Sequence, residues 1–590
     1  MEALEPDVPP DVAAGHVLPA ALPISEGRSL FICWDRTGAG SPEIEGSHGE
    51  LAPIEAGSTT CLAAWGRPLD RDGLAGSATS PAAISRVAWL GRRFRQVGFR
   101  LAEEVGGSLC AVFWDGERRR LVVLRDRMGL GGGVCWADRG GRILLARRAS
   151  RLARGSGRPV RPDTTSCVLH LHGHGPLPAR TFYQGVSQVP PGCWLVASRS
   201  GVEVRSYWAV DPGRESAAPR EAAEELRQLL RQVGRDWGEP GRPAMVSLSG
   251  GLDSPSIAAA ICRSGGCEGV FAVHHTSPLL ETGGESELAR RTAAHLGLEL
   301  LSIDGMRWWP LRDAAGPLVG AESPHRVTYS ELWSESFRVA AEKGAVVAFT
   351  GAGGDHLFTG PRAYSYPDLL CTGRWGELAR RWRRHPPPRP SARQILSAAM
   401  HASLPPSVVA SRYRVSWLAR RRRAEWAAGF SDLQPSRRSP SHRELTLALR
   451  DSLIPVTVSV LADLAGPHGI EVRHPFFDHR LVELAARLSP DLAAADGFRK
   501  RVLREAVRPW LPRPLVERRE KIFPDDVLER GLRERETRRV WSLLTDMRAA
   551  DAGLVDEERL RQGYRDYLEG RGDLRLWHAL TLESWLRHWF

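Results

Sequence analysis

The stretch Ser249-Gly250-Gly251-Leu252-Asp253-Ser254 constrains this chain more than any other. The apolar run Ala244-Met245-Val246-Ser247-Leu248 leads into it and reads as a buried strand. Pro255-Ser256-Ile257-Ala258-Ala259-Ala260-Ile261 follows and reads as a helix. Proline suits the first helical position, because its missing N–H would be unpaired there. The six residues therefore predict a strand–loop–helix turn in which two glycines let the backbone approach a ligand closely. Serine hydroxyls and free N–H groups at a helix start face an anion, which the helix dipole favours. Asp253 adds a carboxylate suited to a magnesium ion that bridges to phosphate. No Gly-Lys-Ser/Thr follows, so this is not a Walker loop, and it is not the dinucleotide pattern either.

The unit around this loop repeats. A polar link, Asp211-Pro212-Gly213-Arg214-Glu215-Ser216, leads into a helix over Pro219–Gly234, and the central strand follows. Val270–His274 and Leu298–Ile303 read as further strands with a helix over Gly284–Leu296 between them; a helix over Tyr329–Glu342 then leads to the strand Ala345–Phe349. This alternation predicts a parallel sheet with helices on both faces, and ligands at the carboxyl ends of its strands. Two loops fall there, Ser249–Ser254 and Thr350-Gly351-Ala352-Gly353-Gly354-Asp355. Asp253 and Asp355 can converge on one Mg2+ bound to ATP phosphates. Asp355 also suits an N-cap for His356-Leu357-Phe358.

The preceding half reads differently. Gly106–Asp115 and Arg120–Asp126 form a predicted hairpin, and Arg142–Ala146 and Cys193–Ala197 are further strands between Gly/Pro turns. Residues 1–210 thus form a β-rich first domain, and 211–590 a second one whose C-terminal part is helical. With 590 residues, two or more cores are expected. No apolar run is expected to span a bilayer. Nine scattered cysteines without a C-x-x-C pair suit reduced thiols and a cytoplasmic location. Seventeen arginines face four acids between Arg374 and Arg450, a local basic surface in a segment read as partly loop over 385–441. Only three of 81 basic residues are lysines: Lys343, Lys500 and Lys521. In a chain that uses arginine almost everywhere, a retained lysine marks a candidate site for a compact ammonium.

Four motifs in order carry a resemblance. Ser249–Ser254, Thr350–Asp355, Arg473-His474-Pro475-Phe476-Phe477-Asp478 and Arg519-Glu520-Lys521-Ile522-Phe523 are similar to the asparagine synthetase family of ATP pyrophosphatases. Gly107–Asp115, Arg125-Asp126-Arg127-Met128-Gly129 and Pro190-Pro191-Gly192 resemble its class II glutamine amidotransferase (Ntn-type) domain. The resemblance implies an α/β chain in which a degenerate, β-rich glutaminase-like domain precedes a parallel-sheet synthetase domain. It implies that Leu248, Ser249, Gly250, Gly251, Asp253, Ser254, Val273 and Gly351 hold the nucleotide, and that Lys521 is the catalytic lysine. Arg473 and His474 would line the substrate pocket, and His356 is a candidate base because its ordinary pKa of about 6.5 fits proton transfer near neutrality.

Two departures shape the expected activity. Family glutaminases need a cysteine at position 2; here that residue is Glu2 and the first cysteine is Cys33. Without the thiolate, glutamine-derived ammonia is not expected. Ala352 stands where relatives carry a glutamate or a tyrosine, and a methyl group cannot act as a base. His468–Phe476 and Gly353-Gly354-Asp355 are similar to lasso peptide cyclases. The resemblance implies a precursor peptide as substrate, with a leader-binding protein and a leader peptidase as partners and ATP and Mg2+ as cofactors. Nucleic acid and membrane are not expected partners. Amide formation on a small amino acid, a β-lactam synthetase reaction and a non-catalytic peptide-binding scaffold are the alternatives.

Overall fold

The computed structural model describes residues 30–590 apart from 38–40, 46–58, 71–81, 156–158, 211–218, 313–320, 325–326, 361–364, 386–388, 434–439, 451–452, 496–497 and 520–521. Glu2, Lys521 and the whole of the predicted link at 211–216 lie outside the described residues.

The first half forms two stacked antiparallel sheets of five strands each. One runs Glu43–Glu45, Phe31–Asp35, Arg142–Ala146, Cys135–Arg139, Ser187–Gln188; the other runs Gly201–Ser206, Cys193–Ser198, Arg120–Arg125, Val105–Asp115, Thr59–Asp70. Strand periodicity explains the stacking, because successive side chains point to opposite faces. Along Val105–Asp115, Cys110, Val112 and Trp114 meet Trp34, Ile143 and Leu145 of the facing sheet. Leu109, Ala111 and Phe113 turn the other way, against Leu90 and Phe94 of the helix Ala82–Val97. Burial on both faces is why this strand reads as an unbroken apolar run. The far face of the first sheet packs on the helix Thr164–Leu171 and on the helix Leu576–Trp589, so the first half and the last helix share one core.

The second half holds a five-stranded sheet in the order Leu300–Asp304, Val270–Thr276, Ala244–Ser247, Val347–Phe349, Glu471–Arg473, with every pairing parallel. The predicted β-α-β-α-β unit is present, with the loop-bearing strand at its centre. The fifth strand was read as part of the helical C-terminal region. It has three residues, two of them charged, and only pairing with Val347–Phe349 makes it a strand.

Three further expectations are corrected. The 385–441 segment is largely helical, over Ala392–Ser403, Pro406–Tyr413 and Arg423–Leu433. These helices are short and bury few side chains each, so no single period stands out, although Ser391 and Gln394 form a reciprocal cap that starts the first. The stretch Leu445–His468 is long and apolar enough to cross a membrane by composition, which the sequence reading did not expect. Its helix Leu453–Ala465 buries Ile454, Val458, Leu461 and Leu464 within the second domain. Finally, Cys262 and Cys267 are joined in a disulfide across the turn that ends the helix Asp253–Arg263. Their spacing matches no common motif, so proximity in space alone pairs them.

Candidate functional site

The loop Ser249–Leu252 leaves the central strand at its carboxyl end and enters the helix Asp253–Arg263. Ser254 Oγ accepts from Ser249 N at 2.9 Å, and Gly251 N donates to Ser249 Oγ at 3.2 Å, which folds the loop back on itself. His274 pins its start. One ring nitrogen lies 2.8 Å from Leu248 O and the other 3.0 Å from Ser286 Oγ. A carbonyl can only accept, so Nδ1 carries the proton and Nε2 accepts from the serine. Burial lowers the pKa of this imidazole, which keeps it in that neutral form.

The second loop closes against the first. A Cβ on Gly351 would lie 2.5 Å from Ser254 N, and one on Gly354 would lie 2.4 Å from Asp253 Cγ. The glycines are thus what allows the two loops to touch. Thr350 is fixed from behind: its N–H donates to Arg473 O at 3.1 Å, and its hydroxyl lies 2.7 Å from His474 Nδ1. Asp355 is not an N-cap. Gly353 holds that position, and Asp355 sits in the first turn of Gly354–Phe358, accepting from Thr359 Oγ1 at 3.1 Å.

Asp253 and Asp355 do converge, and the group between them is Lys500. Its Nζ lies 2.7 and 2.6 Å from the two Asp253 oxygens and 2.6 Å from Asp355 Oδ1. Lys500 is 7% exposed and adopts a left-handed backbone, φ 58°. That conformation costs a non-glycine residue on the order of 1–3 kcal/mol, so the surrounding fold over-determines it. Two carboxylates meeting at one point are a donor set that suits Mg2+ only together with phosphate oxygens and water. Among the described residues no cluster of three or more metal-ligating side chains exists. The residues fit a metal carried in with a nucleotide.

Other predicted residues fall as follows. Leu248 and Val273 are buried, and Val273 packs in the core with Met245 and Phe271. Only their backbones reach the loop, where Leu248 N donates to Val273 O at 2.8 Å. Arg473 does not line a pocket. Its guanidinium, 1% exposed, binds Glu239 and Glu471 at 2.8 Å and donates to Trp237 O. His474 is also buried, and burial pushes its pKa down to about 4. Both are corrected from substrate contacts to supports of the Thr350 loop, because their polar groups point into the protein. His356 is exposed beside Asp355, with its ring 5.8 Å from that of Phe477.

Glu285 was not anticipated, since it reads as an ordinary acidic residue in the first turn of a helix. It is buried, and its backbone and carboxylate press on Gly250, where a Cβ would lie 2.4 Å from Oε2. The same carboxylate accepts from Ile522 N at 3.0 Å and pairs with Arg518 at 3.3 Å. Asp526 continues the contact, accepting from Ser277 Oγ and Leu279 N. Glu285 therefore ties the segment at Arg518 and Ile522 directly to the Ser249–Leu252 loop.

Asp478 anchors the other side of the scaffold. Burial pushes its carboxyl up, but hydrogen bonds and charge from Arg480, with the indole N–H of Trp237 at 2.8 Å, hold it below the usual range. A depressed folded pKa favours the native state while the group is ionised. That stability is complete above the unfolded value of about 3.9 and is lost as pH falls through the folded value. We expect Asp478→Asn to lower Tm at neutral pH and to flatten its fall below about pH 4, as read by calorimetry across pH.

Residues 225–587 match the profile of the asparagine synthase family, and residues 89–208 match that of a glutamine amidotransferase domain. The first match covers more than half of the chain. The chain belongs to the asparagine synthase family. Among curated proteins it is 27% identical over 311 residues to amidase chyE of Penicillium rubens and 24% identical to amidase chry2 of Gibberella zeae. Each match covers 47% of this chain and 43% of the relative. A glutamine-hydrolysing asparagine synthetase of Bacillus subtilis is 24% identical over 159 residues, 27% of this chain and 26% of its own. The chain thus spans under half the length of the curated relatives it matches. A solved glutamine phosphoribosylpyrophosphate amidotransferase of B. subtilis aligns with 56% of this chain and 86% of its own at 12% identity and a TM-score of 0.20.

In the first domain, burial raises the thiols of Cys61, Cys110, Cys135, Cys167 and Cys193 above the ordinary range. Burial pushes the thiols of Cys110 and Cys135 up to about 12, so neither ionises near neutrality.

Proposed function

We propose that this member of the asparagine synthase family is an ATP-dependent, AMP-forming amide synthetase that closes a macrolactam in a peptide, in the manner of a lasso peptide cyclase. The observation that carries the reading is the meeting of Asp253 and Asp355 at one point, with the Lys521-bearing segment held to the same loop through Glu285. In this reading the loop N–H groups and the start of the Asp253–Arg263 helix hold the phosphates. Bound Mg2+ on the nucleotide would supply Lewis-acid stabilisation of the leaving pyrophosphate, and Asp253 and Asp355 would hold it. Lys500, displaced from between them, would meet phosphate oxygen, and Lys521 would face charge building on the acyl-adenylate. An Asp or Glu side chain of the peptide attacks the α-phosphate and pyrophosphate leaves. The peptide's α-amine then attacks the acyl carbon, AMP leaves, and His356 stands beside Asp355 as a candidate to take the amine proton.

The departure at Ala352, a methyl group that cannot act as a base, supports an intramolecular amine. A tethered amine gains effective molarity, up to ~10⁵–10⁸ M in favourable cases, which lessens the need for a strong base. The rival reading is amide chemistry on a small acid, which the amidase and asparagine synthetase relatives favour. Purified protein with ATP, Mg2+ and a leader-cleaved precursor peptide separates the two. We expect AMP and pyrophosphate in equal amounts and a peptide lighter by one water. Pyrophosphate released only with small amino acids would establish the rival.

A further inference from the structure

The cysteines fall into two groups. Cys33, Cys61, Cys110, Cys135, Cys167 and Cys193 are buried free thiols, and Cys371 is an exposed one. Among the described residues only Cys262 and Cys267 are joined, and both are half-buried, within reach of a small solute.

The position of this bond relates it to the Ser249–Leu252 loop. Cys262 lies in the last turn of the helix Asp253–Arg263, and Cys267 stands just before the strand Val270–Thr276. The opposite ends of the same two elements seat the loop. The helix begins at Asp253, and the strand meets Leu248 through Val273 O and His274 Nδ1, each at 2.8 Å. The disulfide therefore clamps the far ends of the helix and strand between which the loop is held. Helix packing keeps the far end in place, since a Cβ on Gly234 would lie 2.3 Å from Ala260 O. Roughly 13 Å of helix, at about 1.5 Å per residue, separates Cys262 from Asp253.

Two features argue against a purely structural cross-link. The stability a disulfide adds grows with the length of chain it closes, and these cysteines are only five positions apart. The turn is also held without the sulfurs. Ser264 N and Gly266 N donate to Ile261 O at 3.1 and 3.2 Å, and Val270 N donates to Cys267 O at 3.1 Å. Gly265, with φ 83°, supplies the left-handed residue that the turn requires. Opening the bond leaves these contacts in place, so the two thiols remain neighbours and can close again. An accessible pair held close by its backbone has what exchange with a soluble thiol needs.

We propose that Cys262–Cys267 is a reversible thiol–disulfide exchange site for small dithiols, and that its closed form stiffens the seat of the Ser249–Leu252 loop. One thiolate of the dithiol attacks a cysteine sulfur, the S–S bond breaks, and the released cysteine thiolate takes a proton. The second thiolate of the dithiol then attacks the mixed disulfide, frees the other cysteine as a thiol, and the dithiol leaves as a cyclic disulfide. The protein gains two electrons and two protons, and the dithiol loses the same. Unbonded sulfurs must sit farther apart than bonded ones, so the helix end and the strand entry separate and the helix is less firmly held.

The test treats the folded, full chain with dithiothreitol, labels it with iodoacetamide, and follows amide hydrogen exchange by mass spectrometry. We expect label on Cys371 alone before reduction, and on Cys262 and Cys267 as well after it. Amides of 249–263 should exchange several-fold faster in the reduced protein and return to their former rate once oxidised glutathione closes the bond. The double variant Cys262→Ser, Cys267→Ser should exchange like the reduced protein with or without dithiothreitol. Cys262 and Cys267 that take up label only on unfolding would overturn the proposal. So would equal exchange over 249–263 in the two states, or a response to dithiothreitol as large in the double variant as in the parent. Neither labelling nor exchange involves ATP or a peptide, so failure here and failure of the proposed synthetase activity are separable.

Discussion

Lys500→Met should abolish measurable pyrophosphate release, a fall of roughly 10²–10³-fold or more by comparison with loss of a single charge-stabilising donor in other sites. The ammonium touches both Asp253 and Asp355, and the carboxylate of Asp253 is itself largely shielded from solvent. Methionine matches the length of the stem and bears the same left-handed backbone, so the substitution removes charge without adding strain. Two carboxylates within hydrogen-bonding distance of one vacated point then repel, and one of them takes up a proton. The folded-state pKa of that group rises. Its stability contribution is therefore present at low pH and lost as pH rises through the raised value. We expect the variant to lose about 2–3 kcal/mol at neutral pH, below the range for breaking fully buried pairs because Asp355 is half exposed. Tm should recover on acidification. A variant with parental Tm and parental release rate would show that the ammonium is a passive neighbour.

Glu285→Ala should lower the release rate about 100-fold, the scale expected when a reacting group is misplaced by about 1 Å. The carboxylate touches Gly250 on one side and Ile522 N and Arg518 on the other. Its removal frees the segment beside Lys521 and leaves Arg518 without that partner. Glu285→Gln keeps an acceptor for Ile522 N and should restore much of the rate. The KM for ATP should change less than kcat in both variants, since the loop's own hydrogen bonds between Ser249 and Ser254 remain. Rates that follow Tm alone, without recovery in the glutamine variant, would reduce Glu285 to a packing residue.

Much of this arrangement was legible in the residues. The central strand, its loop and the following helix were readable because three local signals agree: an apolar run, a glycine pair and a helix-starting Asp253-Ser254-Pro255. The hairpin at 105–125 was readable for the same reason. The strand Glu471–Arg473 was not, because its pairing energy comes entirely from a neighbour more than a hundred residues away. Arg473 and His474 misled for a related reason. Polar residues beside a conspicuous motif suggest a pocket, yet here they are consumed by Glu239, Glu471 and Thr350 inside the fold.

The scarcity of lysine marked Lys343, Lys500 and Lys521 together without ranking them. Tertiary structure separates two of them: Lys343 meets Glu299 at the surface, while Lys500 is buried between two aspartates. By itself the sequence determined the order of the elements, the two-part architecture and the strand–loop–helix turn at 249–254, since each rests on interactions among near neighbours in the chain. Only the folded molecule decided which charges share a point and that Glu285 joins two distant segments. Coulomb and hydrogen-bond interactions fall off within a few ångströms, so they depend on distances in space that residue spacing along the chain does not specify.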